Sequence, residues 1–136
     1  MTAPRRRRTN AEWSALTRSA LLRAAREEFA ARGYDDASLD AIAATASMTK
    51  GSIYHHYSDK RALFRAVFEE IEQQIVENID QVAQASATYV DGIYRGCEVF
   101  LETVLREGVT RIVLTDAPSV LGWATWRAID NEIGGR

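Results

Sequence analysis

The chain has 136 residues, 46% hydrophobic and 26% charged, the make-up of a globular protein with one domain or two small lobes sharing a core. No apolar run approaches the ~20 residues that a membrane span needs, and the basic, amphipathic start does not read as a signal sequence. The single cysteine, Cys97, excludes an internal disulfide framework and fits a reducing cytoplasm.

The net charge of −2 hides an asymmetry. Residues 1–65 hold twelve Lys/Arg against seven Asp/Glu, whereas residues 66–136 hold five against twelve. A basic first half beside an acidic second half points to a polyanion-binding lobe joined to one that avoids polyanions.

Thr9-Asn10-Ala11-Glu12 has capping-box spacing, which predicts a first helix starting there. Leu21, Leu22, Ala25 and Phe29 give it one apolar face. Gly33 is its predicted left-handed stop, with Tyr34 folding back on the last turn. Ser38 is the predicted cap of a short second helix, whose Leu39, Ile42, Ala43 and Ala46 share one face. Thr49 is the predicted cap of a third, with Met48 and Ile53 spaced as a hydrophobic staple. Only Ser47 and Met48 separate these two helices, so they must cross sharply.

Ser58 is predicted to cap a fourth helix, with Asp59 favourably near its positive end. Phe64, Phe68, Ile71, Ile75, Ile79 and Val82 extend that helix, and QASAT (84–88) breaks it. A fifth helix, expected to end near Gly108, carries Val90, Ile93, Tyr94, Cys97, Phe100, Leu101 and Val104 on a broad apolar face. VTRIVLTDAP has the β-branched residues of a strand but no partner strand, so a helix ending at Pro118 is predicted. A last helix from about Ser119 carries Leu121, Trp123, Trp126 and Ile129, with both tryptophans expected in the core. Glu69, Glu70 and Glu72 read as a solvated face. The fold class is all-α, with about seven helices.

Two short helices joined by a tight turn have the spacing of a helix-turn-helix, whose second helix enters a major groove. Ala43 supplies the small residue where the helices touch, and Ile42, Ala46, Met48 and Ile53 lock the pair. Thr49, Lys50, Gly51, Ser52, Tyr54 and His55 crowd the start and outer side of the second. Hydroxyls, a lysine and free backbone N–H groups at a helix N-terminus suit phosphate oxygens. Gly51 costs ~1 kcal/mol relative to alanine there and makes sense where a backbone must approach another surface closely.

The stretch ALLRAAREEFAARGYDDASLDAIAATASMTKGSIYHHYSDKRALFRAV resembles the DNA-binding domain of the tetracycline-repressor (TetR) family of transcriptional regulators. The likeness rests on Phe29, Gly33, Tyr34 and the Ile42-Ala43 pair, then on Gly51, Ile53, Tyr54, Tyr57, Lys60 and Leu63. RIVLTDAPSVLGWATWRAID resembles a ligand-domain segment of the same family.

The resemblance implies a helix-turn-helix lobe over residues 9–60 followed by a helical ligand-binding or regulatory lobe over 61–136. It implies that Thr49, Lys50, Gly51, Ser52, Tyr54 and His55 face DNA, that Ser38 lies on the same surface, that Lys60 holds a phosphate and that Tyr57 anchors the reading helix. Residues 1–8 form a basic arm beyond the matched stretch, with Arg5 and Arg6 as further DNA contacts. Ile71, Ile75, Ile93, Cys97, Phe100 and Trp123 fall where the family holds its effector. The implied partners are double-stranded DNA, a small-molecule effector and a second subunit, with no membrane. The implied function is sequence-specific transcriptional regulation, a repressor released from its operator by the effector.

The sequence departs from the family where Ser47 stands in place of the usual turn glycine, at a cost of about 1 kcal/mol for a left-handed backbone. It also stops about two helices short of the usual length, which predicts a truncated regulatory lobe. That departure leaves an alternative, a helical small-molecule-binding or protein-interaction module without productive DNA binding.

No glycine-rich phosphate loop, nucleophile–base pair or metal cluster is present, so neither an enzyme nor a cofactor is expected. His55 and His56 diverge by about 100° on a helix and cannot share one ion, so no metal site is assigned. Cys97, mid-helix on an apolar face, is expected to be a small buried hydrophobe.

Overall fold

The computed structural model describes residues 10–135, and every element among them is helical. The arm with Arg5 and Arg6, and the Thr9 end of the capping box, lie outside the described residues.

The first helix, α1 (Asn10–Asp36), buries Leu21, Ala24, Ala25 and Phe29. It is broken at Gly33, where φ is +78° and ψ is 172°, a backbone that glycine adopts without a Cβ clash. The positive φ is as expected, but the extended ψ turns the chain out of the helix. Tyr34 then folds back, its ring 5.9 Å from Phe29 and 5.1 Å from Phe64. Phe64 in turn meets Phe29 edge-on at 5.1 Å.

The next two helices, α2 (Leu39–Thr45) and α3 (Lys50–His56), begin at the predicted caps. Ser38 Oγ accepts from Ala41 N–H at 3.3 Å and Thr49 Oγ1 from Ser52 N–H at 3.2 Å. Between them Ser47 holds φ +56°, the left-handed turn in a non-glycine residue.

The spine is the 25-residue helix α4 (Lys60–Gln84). Its cap is Asp59, whose carboxylate accepts from Ala62 N–H at 2.7 Å, and the predicted cap, Ser58, lies one residue outside. A carboxylate in that place both satisfies a free donor and meets the positive end of the helix dipole. Leu63, Phe64, Val67, Phe68, Ile71 and Ile75 are buried along α4 and form the centre of the core. Glu72 is buried too, at 8% exposure, rather than part of a solvated acidic face. The last helix of the chain, residues 123–134, packs against α4.

After the expected break, α5 (Tyr89–Val104) pairs with α4, capped by Thr88 and ending at Val104 rather than near Gly108. Its broad apolar face is not its packing face. Gly92, Gly96 and Val104 are the buried positions, so Val104 alone of the predicted face is covered, while Val90 is 75% exposed and Ile93, Tyr94, Cys97, Phe100 and Leu101 are exposed as well. Glycine at 96 lets the two helices approach, since a Cβ there would stand 3.2 Å from Ile79 Cγ2, whereas one at Gly92 would stand 3.5 Å from Ala83 Cα, an ordinary contact.

The chain then forms α6 (Glu107–Thr110), a π-helical turn (Arg111–Asp116) and α7 (Ala117–Leu121) as one continuous bent rod. Pro118 does not stop it. Proline lacks an N–H and crowds the carbonyl four residues back. The widened turn before it, closed by Ala117 N–H on Ile112 O, accommodates the ring. The stop is Gly122, φ +81°, so the last helix, α8 (Trp123–Gly134), begins four residues later than expected. Trp123, expected in the core, is 61% exposed. Its ring stacks on the half-buried Trp126 at 4.9 Å, and Trp126 Nε1 donates to Val113 O at 3.2 Å. Taken with the bent rod as one unit, the described residues form seven rods, as expected.

Candidate nucleic-acid interface

Ile53 is 1% exposed and fixes which side of α3 meets the core. Thr49, Lys50, Gly51, Tyr54 and His55 are exposed, with Ser52 half-buried at the edge. Seven residues make only two turns, so one buried isoleucine settles the direction of all the others. Met48, at the turn, is half-buried against the core. Met48 N–H donates to Ala43 O at 2.9 Å and Ser47 N–H to Ala44 O at 3.1 Å, which closes the turn.

Lys50 Nζ lies 3.6 Å from Asp40 Oδ2. A Cβ at Gly51 would meet nothing nearer than Thr49 Oγ1 at 3.9 Å, so no contact among the described residues requires glycine there. His55 and His56 touch edge to face at 5.5 Å. No group of three potential metal-ligating side chains occurs among the described residues.

Other named residues are engaged differently. Ser38 spends its hydroxyl oxygen as the α2 cap, while its N–H donates to Glu28 Oε1 at 3.3 Å. Lys60 is half-buried: Nζ donates to Asp35 O at 3.2 Å and Ala37 O at 3.3 Å, and sits 4.6 Å from the centre of the Tyr34 ring. It therefore fastens the α1–α2 connection, a role that the helical pattern gave no sign of. Tyr57 caps the end of α3 and packs half-buried on the core, and burial raises the pKa of its hydroxyl.

In the second lobe an open apolar groove of about 380 Å³ runs between α4 and α5. Ile93, Cys97 and Phe100 line it, together with Ile79, Ala83 and Tyr89. Ile71 and Ile75 are instead buried in the core, and Trp123 stands on α8 outside this groove. Periodicity located the helix faces but not which face was covered.

Two family profiles match the chain. Residues 21–67 match bacterial regulatory proteins of the tetR family, and residues 90–135 match a tetracyclin repressor-like C-terminal domain. The chain is 28% identical over 120 residues to the transposon Tn10 TetC protein of Escherichia coli, covering 85% of this chain and 58% of that protein. It is 44% identical over 61 residues to the HTH-type transcriptional repressor BepR of Brucella suis, covering 45% of this chain and 29% of BepR. A TetR-family transcriptional regulator from Pectobacterium atrosepticum, known from its crystal structure, is similar at a TM-score of 0.72 and 41% identity. That likeness covers 85% of this chain and 59% of the other. This chain thus spans less than two thirds of each of these relatives. With a family profile matched in each lobe, the chain belongs to the TetR family of bacterial regulatory proteins.

Proposed function

We propose that the protein is a DNA-binding transcriptional regulator that lays α3 into a major groove. The observation that carries this reading is the division of α3: Ile53 holds it to the core, while Thr49, Lys50, Gly51, Tyr54 and His55 stand outward with Ser52 at the edge. Cations and hydroxyls at the head of α3 meet phosphates, and Tyr54 and His55 reach base edges. The open space at Gly51 lets a sugar–phosphate strand come close to the backbone. In this reading Lys60, held at the α1–α2 connection, and Ser38 add flanking contacts to the duplex. Arg5 and Arg6 add charge from the arm.

In this reading residues 9–60 form the DNA-binding lobe and residues 61–136 the regulatory lobe. The groove lined by Ile93, Cys97 and Phe100 takes an apolar small molecule as effector. The relatives' names, transcriptional repressor for BepR and regulator for UidR of Escherichia coli, support the class. Titration of a labelled random-sequence duplex, followed by fluorescence anisotropy over a range of salt, tests it. Binding whose affinity falls steeply with salt is expected. A chain that binds no duplex even at low salt refutes it.

A second reading rests on α5. Its exposed Tyr89, Val90, Tyr94 and Leu101 give an apolar strip suited to protein association. Concentration-dependent sedimentation without any duplex binding would favour that reading.

A further inference from the structure

The peptide that leads from α1 into the helix-turn-helix is fastened from both lobes. Arg111 Nη1 donates to Ala31 O at 2.9 Å and to Ala30 O at 3.3 Å, carbonyls of the last turn before Gly33. Asp116 Oδ2 accepts from Tyr34 N–H at 3.0 Å, directly after the break. On the other side Lys60 Nζ holds Asp35 O and Ala37 O, three residues and one residue before the α2 cap Ser38. The last carbonyls of a helix have no partners within it, so side chains from elsewhere decide how the end is held.

The π turn is what allows both contacts. On an α-helix, residues five apart point about 140° away from each other. Hydrogen bonding from i to i+5 brings them back to one side. Arg111 and Asp116 are the first and last residues of that turn, and they straddle Gly33. Gly108 lets the rod sit this close, since a Cβ there would stand 2.7 Å from Ala30 Cβ. Next to Arg111 the Thr110 hydroxyl donates to Val104 O, in the last residue of α5. The helix that lines the apolar groove is thus joined to the rod that holds the end of α1.

We propose that Arg111 and Asp116 are positioning residues for the helix-turn-helix. The π turn fixes the exit of α1, and through it the arrangement of the second lobe sets the placement of α2 and α3. The consequence for duplex binding rests on the reading of α3 given above, whereas the mechanical coupling does not. Two ties with defined donors and acceptors, made across the lobes by one turn, are a physical basis for coupling that spatial proximity alone would not supply.

Hydrogen exchange on the full chain tests this without DNA. In Asp116→Ala the amides of residues 39–56 are expected to exchange about ten-fold faster, while those of residues 89–104 stay within about two-fold of the parent. Asp116→Asn, whose amide oxygen still accepts from Tyr34 N–H, restores slow exchange. Arg111→Ala, at an exposed side chain, is the second variant and is expected to act in the same direction. Acceleration confined to residues 107–121, spread evenly over the chain, or equal in the Asn and Ala variants overturns the proposal.

A second arm adds a random-sequence duplex at low salt. Coupling is reciprocal, so a duplex that protects residues 49–57 also slows exchange at residues 107–121 in the parent but not in Asp116→Ala. Protection of residues 49–57 alone overturns the coupling. Protection of neither by any duplex refutes the DNA reading, and the duplex-free arm still decides the positioning role.

Discussion

Lys50 and Asp40 form an ion pair at 3.6 Å that ties the head of α3 to the first turn of α2 on the exposed side of the helix-turn-helix. Both side chains are solvated, so the pair contributes about 0–1 kcal/mol to folding. Its larger effect is on the surface charge, because a carboxylate neutralises the lysine nearest the proposed phosphate path. Asp40→Asn is expected to tighten binding of a random-sequence duplex by about two- to five-fold at low salt, with stability unchanged within about 0.5 kcal/mol. Lys50→Ala should weaken binding and lower the salt slope by about one. Anisotropy titrations over salt check both. An Asp40→Asn variant that binds no tighter would place Lys50 away from the duplex.

Lys60 has a structural task beside the proposed contact with phosphate. Its ammonium group donates to two backbone carbonyls in the α1–α2 connection and lies over the Tyr34 ring. Lys60→Ala is therefore expected to lower stability by about 1–2 kcal/mol, seen as an earlier denaturant midpoint at an unchanged slope. It should also weaken duplexes of every sequence alike. If stability stays the same while binding falls, Lys60 serves the phosphate alone and the carbonyl contacts are incidental.

The carbonyl contacts of Lys60 mark how far the sequence was legible. Helix starts followed directly from local chemistry: Ser38 and Thr49 cap as their spacing predicts, and Ser47 takes the left-handed turn. The face of α3 followed from Ile53. Local chemistry also misled where two residues compete, as at Ser58 and Asp59, or where a wide turn accommodates a proline, as at Pro118. The second lobe was legible only as helices. Apolar periodicity on α5 picked out a broad face with Val90, Ile93 and Phe100, whereas the helix packs by Gly92, Gly96 and Val104. Glycines carry no hydrophobic signal, so close helix approach is invisible to a pattern that counts large residues. The long-range ties of Arg111, Asp116 and Lys60 join residues far apart in sequence and leave no periodic trace.

Two glycines should answer alanine with opposite signs. At Gly92 an added Cβ meets Ala83 at 3.5 Å, an ordinary contact, so the gain in helix propensity decides. Gly92→Ala is expected to stabilise by about 0.5–1 kcal/mol. At Gly108 the Cβ would stand 2.7 Å from Ala30 Cβ, a rigid neighbour that cannot swing aside. Gly108→Ala should destabilise by about 1–3 kcal/mol in spite of the same propensity gain. Denaturant melts of the two variants are sufficient, and equal shifts would show that α6 does not seat on α1 this closely.

Glu72 sets a pH dependence of stability. Burial, and secondarily the Asp130 carboxylate on α8, push its pKa from 4.5 up to about 7. Between those two values the folded chain binds more protons than the unfolded one, so this group's contribution to stability falls as pH rises through the window. It is fully present below about 4.5 and lost above about 7. Replacing the carboxyl with an amide removes the charge that burial penalises. Glu72→Gln is therefore expected to be more stable than the parent by about 1–3 kcal/mol near pH 8 and to lose that advantage near pH 4.5. Thermal or denaturant melts of both proteins across that range supply the comparison. A constant difference at all pH values would mean that Glu72 is ionised in the folded protein and reaches water between α4 and α8.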